Sequence, residues 1–445
     1  MKLKVFGFPH TSNKEELTCS PPPSKSHSIR FLLLASWAKT PSVLYNILDS
    51  QDITSTYKCL ESLGVEFAIN KGQGWNNVEV RPPKDGLLSY VEKKGKICFD
   101  VGNSGTLLYV LSMLASSMPA TFCIIGDESI KSRPLAPICE ALNAMQVPYD
   151  ISASPNGIIN IYGRLIREEL NLTLEGKFSQ VLTGLLFSMP FLHKRTSIKL
   201  KEAGEAPYIK MSLSHLKNRG IEVVSSSDML EYKCYGEQSI TGFSARVSAD
   251  WSSTAFLALA SIASKMPMRI QNLSLDDSQG DAKLYNYLKD FSLSVSFQDN
   301  SLVIPFETPS LKGTSFNLSN TPDALPALAC IASLAKGETS FFGIDICRYK
   351  ECNRVRAIAN ELSKLGVHTV EEKDSLVLEG QGGIRGRASL SSYGDHRIAL
   401  ALIALSLSLP QDEWVIIENV ECCNISYPNF VPTLISFGAK IEKIK

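Results

Sequence analysis

The sequence predicts an α/β protein of two domains, in which apolar helices lie inside and strands pack around them. Three observations predict this fold class: a length of 445 residues, a helical segment that recurs six times at nearly constant spacing, and the apolar character of that helix on every face. One hydrophobic core rarely organises so long a chain, so two domains of about 200 residues each are expected.

The composition is that of an ordinary globular protein, with 44% apolar and 20% charged residues. Lysine and arginine together number 45, as do aspartate and glutamate, so no overall field favours nucleic acid or an anionic membrane. Any anion must therefore be recognised locally. The first residues, "MKLKVFGFPHTSNKEEL", lack the apolar segment of a secretory signal, and no stretch approaches roughly 18 uncharged apolar residues, so a cytoplasmic protein is expected.

The eleven cysteines are scattered through the chain and are never spaced as CxxC. Only Cys347 with Cys352, and Cys422 with Cys423, lie close in sequence, and no histidine stands at ligand spacing from them. This pattern favours small buried hydrophobic side chains over a zinc site or a disulfide framework.

Six segments share one design, in which small polar residues lead directly into a helix rich in alanine and leucine. They are "SKSHSIRFLLLASWA" (24–38), "GNSGTLLYVLSMLAS" (102–116), "FSQVLTGLLFSMPFL" (178–192), "DWSSTAFLALASIAS" (250–264), "TPDALPALACIASLA" (321–335) and "GDHRIALALIALSLS" (394–408). Their starts differ by 78, 76, 72, 71 and 73 residues, which indicates an internal repeat.

A second, more amphipathic helix follows each of these segments and ends in a similar phrase. The phrases are "CLESLGVEF", "ALNAMQVPY", "HLKNRGIEV", "YLKDFSLSV", "ELSKLGVHT" and "LISFGAKIE". Glycine in four of them fits a helix C-cap, and the β-branched residues beyond it indicate a strand. Each unit therefore combines strands with two helices, one of them nearly apolar all round.

The apolar helices must lie inside, with sheets packed outside them, because they have no polar face to turn to water. Three units per domain then give two domains. The proline run at 21–23 and the stretch near 245–249 are the natural crossings between the domains. We therefore expect one domain at 22–246, and a discontinuous one made of 1–21 and 247–445.

Ser, Asn, Thr or Asp begins the buried helices and can cap their free backbone N–H groups. Six such helix N-termini that face one another across a cleft would form a strong anion site. Lys25 and Arg30 support this expectation, because a cation at the positive end of a helix is unfavourable unless an anion binds there.

A series of motifs runs in order along nearly the whole chain: "PPSKSHSIR", "VGNSGT", "GDESIKSRPLAP", "FSQVLTGLL", "APYIKMSL", "DDSQGD", "TPDALP", "RYKECNRVRAIANELSKLG" and "YGDHRIALAL". On these motifs the chain resembles the 5-enolpyruvylshikimate-3-phosphate (EPSP) synthases of the enolpyruvyl transferase family. The resemblance implies an inside-out α/β barrel, with two domains each of three repeated β-α-β-α-β-β units, that closes over its substrates.

The reaction implied by this resemblance moves the enolpyruvyl group of phosphoenolpyruvate to the 5-hydroxyl of shikimate 3-phosphate and releases phosphate, on the shikimate pathway to chorismate and the aromatic amino acids. It needs a base for the attacking hydroxyl, an acid for the methylene carbon, and cations for the phosphates and the carboxylate. The family requires neither a metal nor an organic cofactor. Small-molecule substrates are thus the expected partners of a monomer that binds neither nucleic acid nor membrane.

The resemblance also implies the functional residues. Catalysis falls to Lys25, Asp323 and Glu351. Shikimate 3-phosphate would contact Lys25, Ser26, Arg30, Ser179, Gln180, Tyr208, Asp323 and Lys350. Phosphoenolpyruvate would contact Lys25, Asn103, Gly105, Arg133, Gln180, Arg354, His396 and Arg397.

Each functional assignment has a structural alternative. Lys25 could belong to a solvated first turn, and Arg133, which precedes a proline and so stands at a predicted helix start, could lie on the surface. Asp323 could simply cap a helix. A lone histidine such as His396 is usually structural. The spacing of Lys350, Glu351 and Arg354 along a predicted helix is also that of ordinary surface pairs.

Four positions depart from the family pattern. Phe178 and Glu205 stand where the family has serines for the shikimate phosphate, and a carboxylate at 205 should repel a phosphate unless it points away. Ile346 replaces an asparagine that holds the shikimate group, and Ile425 replaces a lysine that closes on phosphoenolpyruvate.

Three functions therefore stay open. The first is the shikimate-pathway transferase. The second is a related transferase for another alcohol, such as the UDP-N-acetylglucosamine enzyme, although the "GDESIKSRP" loop lacks a cysteine and the nearest, Cys123, lies in the preceding strand. The third is a weakened homologue that binds an anion or acts as an interaction domain.

Overall fold

The computed structural model of the chain describes residues 1–9, 15–151, 157–164, 169–192, 194–306 and 310–444. Its contacts divide the chain into two compact units. The continuous unit is Pro23–Val247, and the discontinuous unit combines Met1–Pro22 with Ser248–Lys445.

The α-helices of the described residues are α1 (Lys25–Ser36), α2 (Gln51–Ser62), α3 (Leu87–Lys94), α4 (Gly105–Ser116), α5 (Glu128–Lys131), α6 (Ala136–Ala144), α7 (Ser179–Leu192), α8 (Ala206–Lys217), α9 (Trp251–Ser264), α10 (Leu284–Asp290), α11 (Leu325–Leu334), α12 (Arg354–Lys364), α13 (His396–Ser406) and α14 (Phe430–Ser436). Short 3₁₀ helices span Gly280–Lys283, Pro322–Ala324, Asp345–Tyr349 and Val420–Ile425. Each of the six apolar segments identified in the sequence contains one of the longer helices: α1, α4, α7, α9, α11 or α13.

The strands of the first half of the chain are β1 (Lys2–Phe6), β2 (Leu17–Cys19), β3 (Ser42–Leu48), β4 (Glu66–Lys71), β5 (Trp75–Arg81), β6 (Lys96–Asp100), β7 (Thr121–Ile125), β8 (Tyr149–Ile151), β9 (Gly157–Tyr162), β10 (Leu170–Leu174), β11 (Arg195–Leu200) and β12 (Val223–Ser225). Those of the second half are β13 (Glu231–Tyr235), β14 (Ser244–Arg246), β15 (Met268–Ile270), β16 (Ser296–Gln298), β17 (Ser301–Ile304), β18 (Ser315–Asn317), β19 (Lys336–Phe342), β20 (His368–Glu371), β21 (Ser375–Gln381), β22 (Ser389–Ser391), β23 (Trp414–Glu418) and β24 (Ile441–Ile444).

These strands form six four-stranded sheets with one shared pattern of pairing. In the continuous unit the orders are β14-β3-β5-β4, β6-β7-β9-β8 and β10-β11-β13-β12. In the discontinuous unit they are β16-β17-β15-β2, β18-β19-β21-β20 and β22-β23-β1-β24. Every sheet contains one parallel pair at an edge and two antiparallel pairs.

The six apolar helices are buried along nearly their whole length. In α13, for example, every residue from His396 to Ser406 is buried. Burying one leucine or isoleucine side chain contributes about 1.5–3 kcal/mol, so a helix that is apolar on every face is stable only in an interior. Helices α9, α11 and α13 pack against one another in the discontinuous unit, and α4 packs on α7 in the continuous unit.

Polar caps begin four of the buried helices, as the sequence predicts. The side chains of Ser24, Ser104, Asp250 and Asp395 accept hydrogen bonds from backbone N–H groups in the first turns of α1, α4, α9 and α13. These bonds satisfy donors that a helix cannot satisfy internally.

Glycine ends four of the amphipathic helices, which confirms the predicted C-caps. The φ angles of Gly64, Gly220, Gly366 and Gly438 are 82°, 74°, 87° and 100°, in the left-handed region that favours glycine. A strand follows each of them, β4, β12, β20 and β24 respectively.

Candidate active site

Lys25 begins helix α1 and pairs with a buried carboxylate that the sequence analysis did not identify. Its Nζ lies 3.0 Å from Oδ2 of Asp52, which belongs to the first turn of α2. The hydroxyl of Ser104, the cap of α4, donates to the same oxygen at 3.1 Å. Asp52 therefore joins the N-terminal ends of α1 and α4.

This ion pair corrects one step of the sequence argument. We expected that a cation at the start of α1 requires a bound anion, but Asp52 already balances the charge of Lys25. The position of Lys25 is thus compatible with anion binding and does not demand it.

Arg30 is buried one turn further along α1 and brings Ser26 and Tyr208 together. Its guanidinium donates to the Ser212 hydroxyl at 3.0 Å and to the carbonyl oxygens of Ser26 and Tyr208 at 3.0 and 3.3 Å. Burial lowers the pKa of Arg30 to about 10, although electrostatic interactions with Tyr208 and Glu205 act in the opposite direction. The guanidinium is therefore a desolvated cation close to Glu205.

Glu205 does not point away from this region. It is buried and accepts a 2.9 Å hydrogen bond from the hydroxyl of Ser179, the first residue of α7. The next residue, Gln180, has a buried Oε1 with no hydrogen-bond partner among the residues described. Phe178, just before the helix, places its ring 5.4 Å from that of Tyr109. We call Ser26, Arg30, Ser179, Glu205, Tyr208 and Ser212 the Arg30 cluster.

Gly105 and Arg133 lie together, as the sequence analysis proposed for two contacts of one ligand. A Cβ added at Gly105 would stand only 3.4 Å from Cζ of Arg133, so glycine leaves room for the guanidinium. Asn103 instead ties down the neighbouring loop, because its amide donates to Asp127 at 2.9 Å and to Ser129 at 2.6 Å.

The predicted helix start at Arg133 is wrong. The backbone N–H of Arg133 donates to the carbonyl of Ile130 and closes the short helix α5, while α6 begins only at Ala136. Pro134 explains the difference, because the residue before a proline is disfavoured in helical conformation.

A pair of buried histidines joins α1 to α8 beside the Arg30 cluster. Nδ1 of His27 lies 2.7 Å from Nε2 of His215. Burial holds the pKa of His215 well below its usual range, and electrostatic interactions with His27, Arg219 and Arg30 act in the same direction. The His215 imidazole is therefore neutral at physiological pH.

In the discontinuous unit, Arg354 is surrounded by three carboxylates. Its side chain is 1% exposed and donates to Asp323 and to Asp395, each at 2.7 Å, and to Glu351. Burial disfavours the guanidinium cation, but the charges of Asp395, Glu351 and Asp323 outweigh it and hold the pKa of Arg354 well above its usual value.

Asp323 is bound in turn by three cations. Besides Arg354, Nη2 of Arg397 lies 3.0 Å from Oδ2, and Nζ of Lys350 lies 4.0 Å from Oδ1. Burial raises the pKa of the Asp323 carboxyl, yet Arg397, Lys350 and Arg354 together bring it well below its ordinary value. In this structure Asp323 is an anion and a weak base.

Arg397 connects the N-terminal ends of the three buried helices of this unit. Its guanidinium bonds the hydroxyl of Ser252 at the start of α9 as well as Asp323, which precedes α11, and Arg397 itself lies in the first turn of α13. The neighbouring His396 is buried at the first position of α13. The convergence of helix ends thus holds within this unit.

Asp395 is a second carboxylate of this cluster, for which the sequence predicts only the role of a helix cap. It caps α13 by accepting from the backbone N–H of Arg397 at 2.8 Å, and it also binds Arg354. Burial raises the pKa of Asp395, while Arg354 opposes this shift. We call Asp323, Lys350, Glu351, Arg354, Asp395 and Arg397 the Arg354 cluster.

The prediction that Lys350 and Glu351 lie on one helix with Arg354 is wrong. A 3₁₀ helix ends at Tyr349, Lys350 is extended, and α12 begins at Arg354 with Asn353 as its cap. The cap side chain accepts from the backbone N–H of Arg356 at 3.1 Å. The three charged residues meet around Asp323 rather than along a helix face.

Ile346 and Ile425, the two departures in this unit, are both buried in 3₁₀ helices, and Ile425 is only 4% exposed. The expectation that residue 425 stands where the family has a ligand-binding lysine stays a prediction. Among the residues described, no group of histidine, cysteine, aspartate or glutamate side chains could hold a metal ion. None of the described helices combines the length and apolarity needed to cross a membrane.

Comparison with known proteins decides the family. A sequence profile of the family described as EPSP synthase (3-phosphoshikimate 1-carboxyvinyltransferase) matches residues 11–434. The chain belongs to the EPSP synthase family. The 3-phosphoshikimate 1-carboxyvinyltransferases of Methanocaldococcus jannaschii and Ruminiclostridium cellulolyticum are each 31% identical to it, over 95% of this chain and 95% and 96% of theirs.

Solved structures of EPSP synthase and related proteins share the fold. EPSP synthase from Acinetobacter baumannii aligns with a TM-score of 0.78 at 20% identity, over 99% of both chains. The enolpyruvyl transferase NikO from Streptomyces tendae aligns with a TM-score of 0.71 at 16% identity, over 99% of this chain and 98% of its own. The predicted α/β class, the EPSP synthase family and the enzyme class of a shikimate-pathway transferase are thereby confirmed.

Proposed function

We propose that the chain transfers the enolpyruvyl group of phosphoenolpyruvate to the 5-hydroxyl of shikimate 3-phosphate and releases phosphate, with the residues identified in the sequence in the roles given there. The observation that carries this proposal is the Arg354 cluster, in which a partly buried aspartate, Asp323, is held by three cations. Cations for a phosphate or carboxylate and a carboxylate for proton transfer are the groups that the reaction needs.

Substrate binding supplies the base in this scheme. Asp323 is a weak base in this structure because Arg397, Lys350 and Arg354 bind it. An anionic substrate that binds Arg354 and Arg397 competes with Asp323 for these two cations and so raises the pKa of the Asp323 carboxyl. Asp323 then becomes a stronger base for the acceptor hydroxyl. Glu351, already bonded to Arg354, then moves the proton to and from the methylene carbon.

The remaining residues are assigned to one or both of the two substrates. For shikimate 3-phosphate we propose contacts with Lys25, Ser26, Arg30, Ser179, Gln180, Tyr208, Asp323 and Lys350. For phosphoenolpyruvate we propose Lys25, Asn103, Gly105, Arg133, Gln180, Arg354, His396 and Arg397. The closeness of Gly105 to Arg133 supports the second grouping.

We further propose that the fold is an inside-out α/β barrel of six β-α-β-α-β-β units, three in each domain, and that the continuous and discontinuous units are those domains. The identical strand pairing of the six sheets and the burial of six apolar helices support this architecture. A cytoplasmic monomer is the corresponding expectation for the assembled protein.

The test is steady-state phosphate release with both substrates, beside reactions that lack either one. Lys25→Met and Glu351→Gln should each abolish turnover while circular dichroism reports a folded protein. Lys39→Met, which removes an exposed lysine just after α1, is the matched control and should keep the wild-type rate. Near-wild-type turnover in either site variant would refute the role of that residue.

Among the alternatives, a weakened homologue fits poorly, because the Arg354 cluster brings together the cations and carboxylates that the reaction needs. The transferase for another alcohol is favoured by one specific observation, the buried Glu205 at Ser179. A panel of unphosphorylated alcohols in the same assay separates the two acceptor classes.

A further inference from the structure

Glu205 is a buried acid held in an uncommon backbone conformation. Its φ and ψ are 49° and 44°, in the left-handed region that residues other than glycine seldom adopt. The loop around it is fixed, since the N–H of Gly204 bonds the carbonyl of Gly176 at 3.2 Å, and a Cβ at Gly204 would stand 2.2 Å from the carbonyl oxygen of Lys177. The backbone thus directs the carboxylate into the protein.

The groups around Glu205 are those that bind anions. Ser179 donates its hydroxyl to the carboxylate at 2.9 Å, at the first residue of the fourteen-residue helix α7. The buried guanidinium of Arg30 lies in the same turn, because it donates to the carbonyl oxygen of Tyr208 at 3.3 Å and the N–H of Tyr208 donates to the carbonyl oxygen of Glu205 at 3.0 Å. A hydroxyl, an arginine and a helix N-terminus together form a favourable environment for a phosphate, and here a carboxylate of the protein occupies it.

We propose that Glu205 is a specificity-determining residue that takes the place of an acceptor phosphate at Ser179 and Arg30. This proposal rests on the proposed function, because it assumes that the Arg30 cluster binds the acceptor. Two anions so close together in a buried place repel each other strongly, so the carboxylate disfavours a phosphate there. The protein therefore distinguishes little between a phosphorylated acceptor and the same alcohol without its phosphate.

Phe178 acts in the same direction. It immediately precedes Ser179, packs its ring against Tyr109 and offers no hydrogen-bond donor from its side chain. A phosphate next to Ser179 would therefore lack a second side-chain donor at this position. An uncharged hydroxyl of the acceptor could still share the carboxylate of Glu205 with Ser179, because a carboxylate accepts several hydrogen bonds.

The test compares the affinities of shikimate 3-phosphate and shikimate by titration calorimetry. For the wild-type protein we expect the two dissociation constants to lie within about tenfold of each other. Glu205→Gln removes only the charge, and Glu205→Asn also shortens the side chain while tolerating positive φ. Each should shift the ratio toward shikimate 3-phosphate by roughly 10- to 100-fold, the factor for one hydrogen bond to a charged group.

Glu202→Gln is the matched control, because it removes an exposed carboxylate three residues earlier in the same loop. It should leave the ratio unchanged. The proposal is overturned if the wild type prefers shikimate 3-phosphate by more than about 100-fold, a result that needs no variant to fold. It is also overturned if folded Glu205 variants keep the wild-type ratio.

Failure of the proposed function gives a different result. Titrations without phosphoenolpyruvate do not depend on turnover, so an affinity ratio can be measured even if neither acceptor supports phosphate release. If the wild type binds neither compound, the proposal still requires the Glu205 variants to gain binding of shikimate 3-phosphate, and variants that bind none overturn it.

Discussion

Replacement of Arg354 by methionine tests the electrostatic account of the Arg354 cluster. The cluster balances three cations against three carboxylates, and Arg354 contacts all three acids directly. Methionine is an uncharged side chain of similar length. In the cluster it leaves two cations, Lys350 and Arg397, for the three acids. The substitution therefore leaves an excess of one negative charge in the cluster.

The expected loss of stability follows from burial. Removing one partner of a buried ion pair costs about 3–5 kcal/mol, since the remaining charge stays desolvated. Arg354 is 1% exposed and serves three acids, but one guanidinium is lost only once, so the three contacts do not add. We expect a decrease of about 4–5 kcal/mol in the free energy of unfolding at neutral pH.

The pH dependence gives a second signature. Arg354 lowers the pKa of both Asp323 and Asp395 in the folded protein, so its removal raises both values. A carboxyl with a raised folded pKa is stabilising at low pH and loses that contribution as the pH rises through the folded pKa. The stability gap between wild type and variant should therefore narrow when the pH falls from about 7 to about 5.

Urea unfolding of both proteins at the two pH values measures this gap. The matched control is Arg356→Met, two residues away, whose side chain is 66% exposed and pairs with Glu371. Exposed pairs contribute about 0.2–1 kcal/mol, so this variant should change little. The reasoning is refuted if Arg354→Met lowers the free energy of unfolding by no more than Arg356→Met does. It is also refuted if the difference in stability between wild type and Arg354→Met widens on acidification.

Two further predictions concern buried positions. Ile425→Lys should lower the melting temperature and leave the KM for phosphoenolpyruvate unimproved, because it places an ammonium group at an interior site; a lower KM at unchanged stability would contradict this. His215 has a depressed folded pKa, so its contribution to stability is present above the unfolded value of about 6.5 and is lost as the pH falls below it. His215→Gln should make the urea unfolding midpoint less dependent on pH between about pH 7 and pH 5. A pH dependence equal to that of the wild type would exclude this role of the imidazole.

The buried helices could be predicted from the sequence because their signal is local. A run such as 250–264 is apolar on every face and begins with an aspartate, and the structure has α9 at Trp251–Ser264 with Asp250 as its cap. The same holds for 394–408, where α13 spans His396–Ser406. Neither prediction depended on what the helix packs against.

The carboxylates that balance the clusters could not be predicted in this way. Asp52 stands in the first turn of an amphipathic helix, where an acid usually interacts with the helix dipole and solvent, and only the tertiary fold brings it to Lys25. Asp395 was visible as a helix cap, but its second bond to Arg354 joins residues 41 positions apart.

Lys350 and Glu351 were wrongly predicted to share a helix with Arg354 because their charge spacing suggested it. A local signal in the sequence gives the correct helix start. Asn353 in "ECNRVRAIANEL" is a favourable N-cap residue, and it places the start of the helix at Arg354. Glu205 is different, because the sequence left the direction of its side chain open. Its burial depends on a left-handed backbone conformation that no neighbouring residue type indicates.

The position of β1 also bears on how the protein folds during translation. This strand precedes every other described strand in the chain, yet its partners are β23 and β24, so its sheet closes only after residue 444 has left the ribosome. The continuous unit is fully synthesised about 200 residues earlier, which is roughly 10–40 s of elongation. In that interval both edges of β1 lack their partner strands, and Lys2 and Lys4 alternate with Leu3 and Val5, a pattern that disfavours edge-to-edge pairing with other chains.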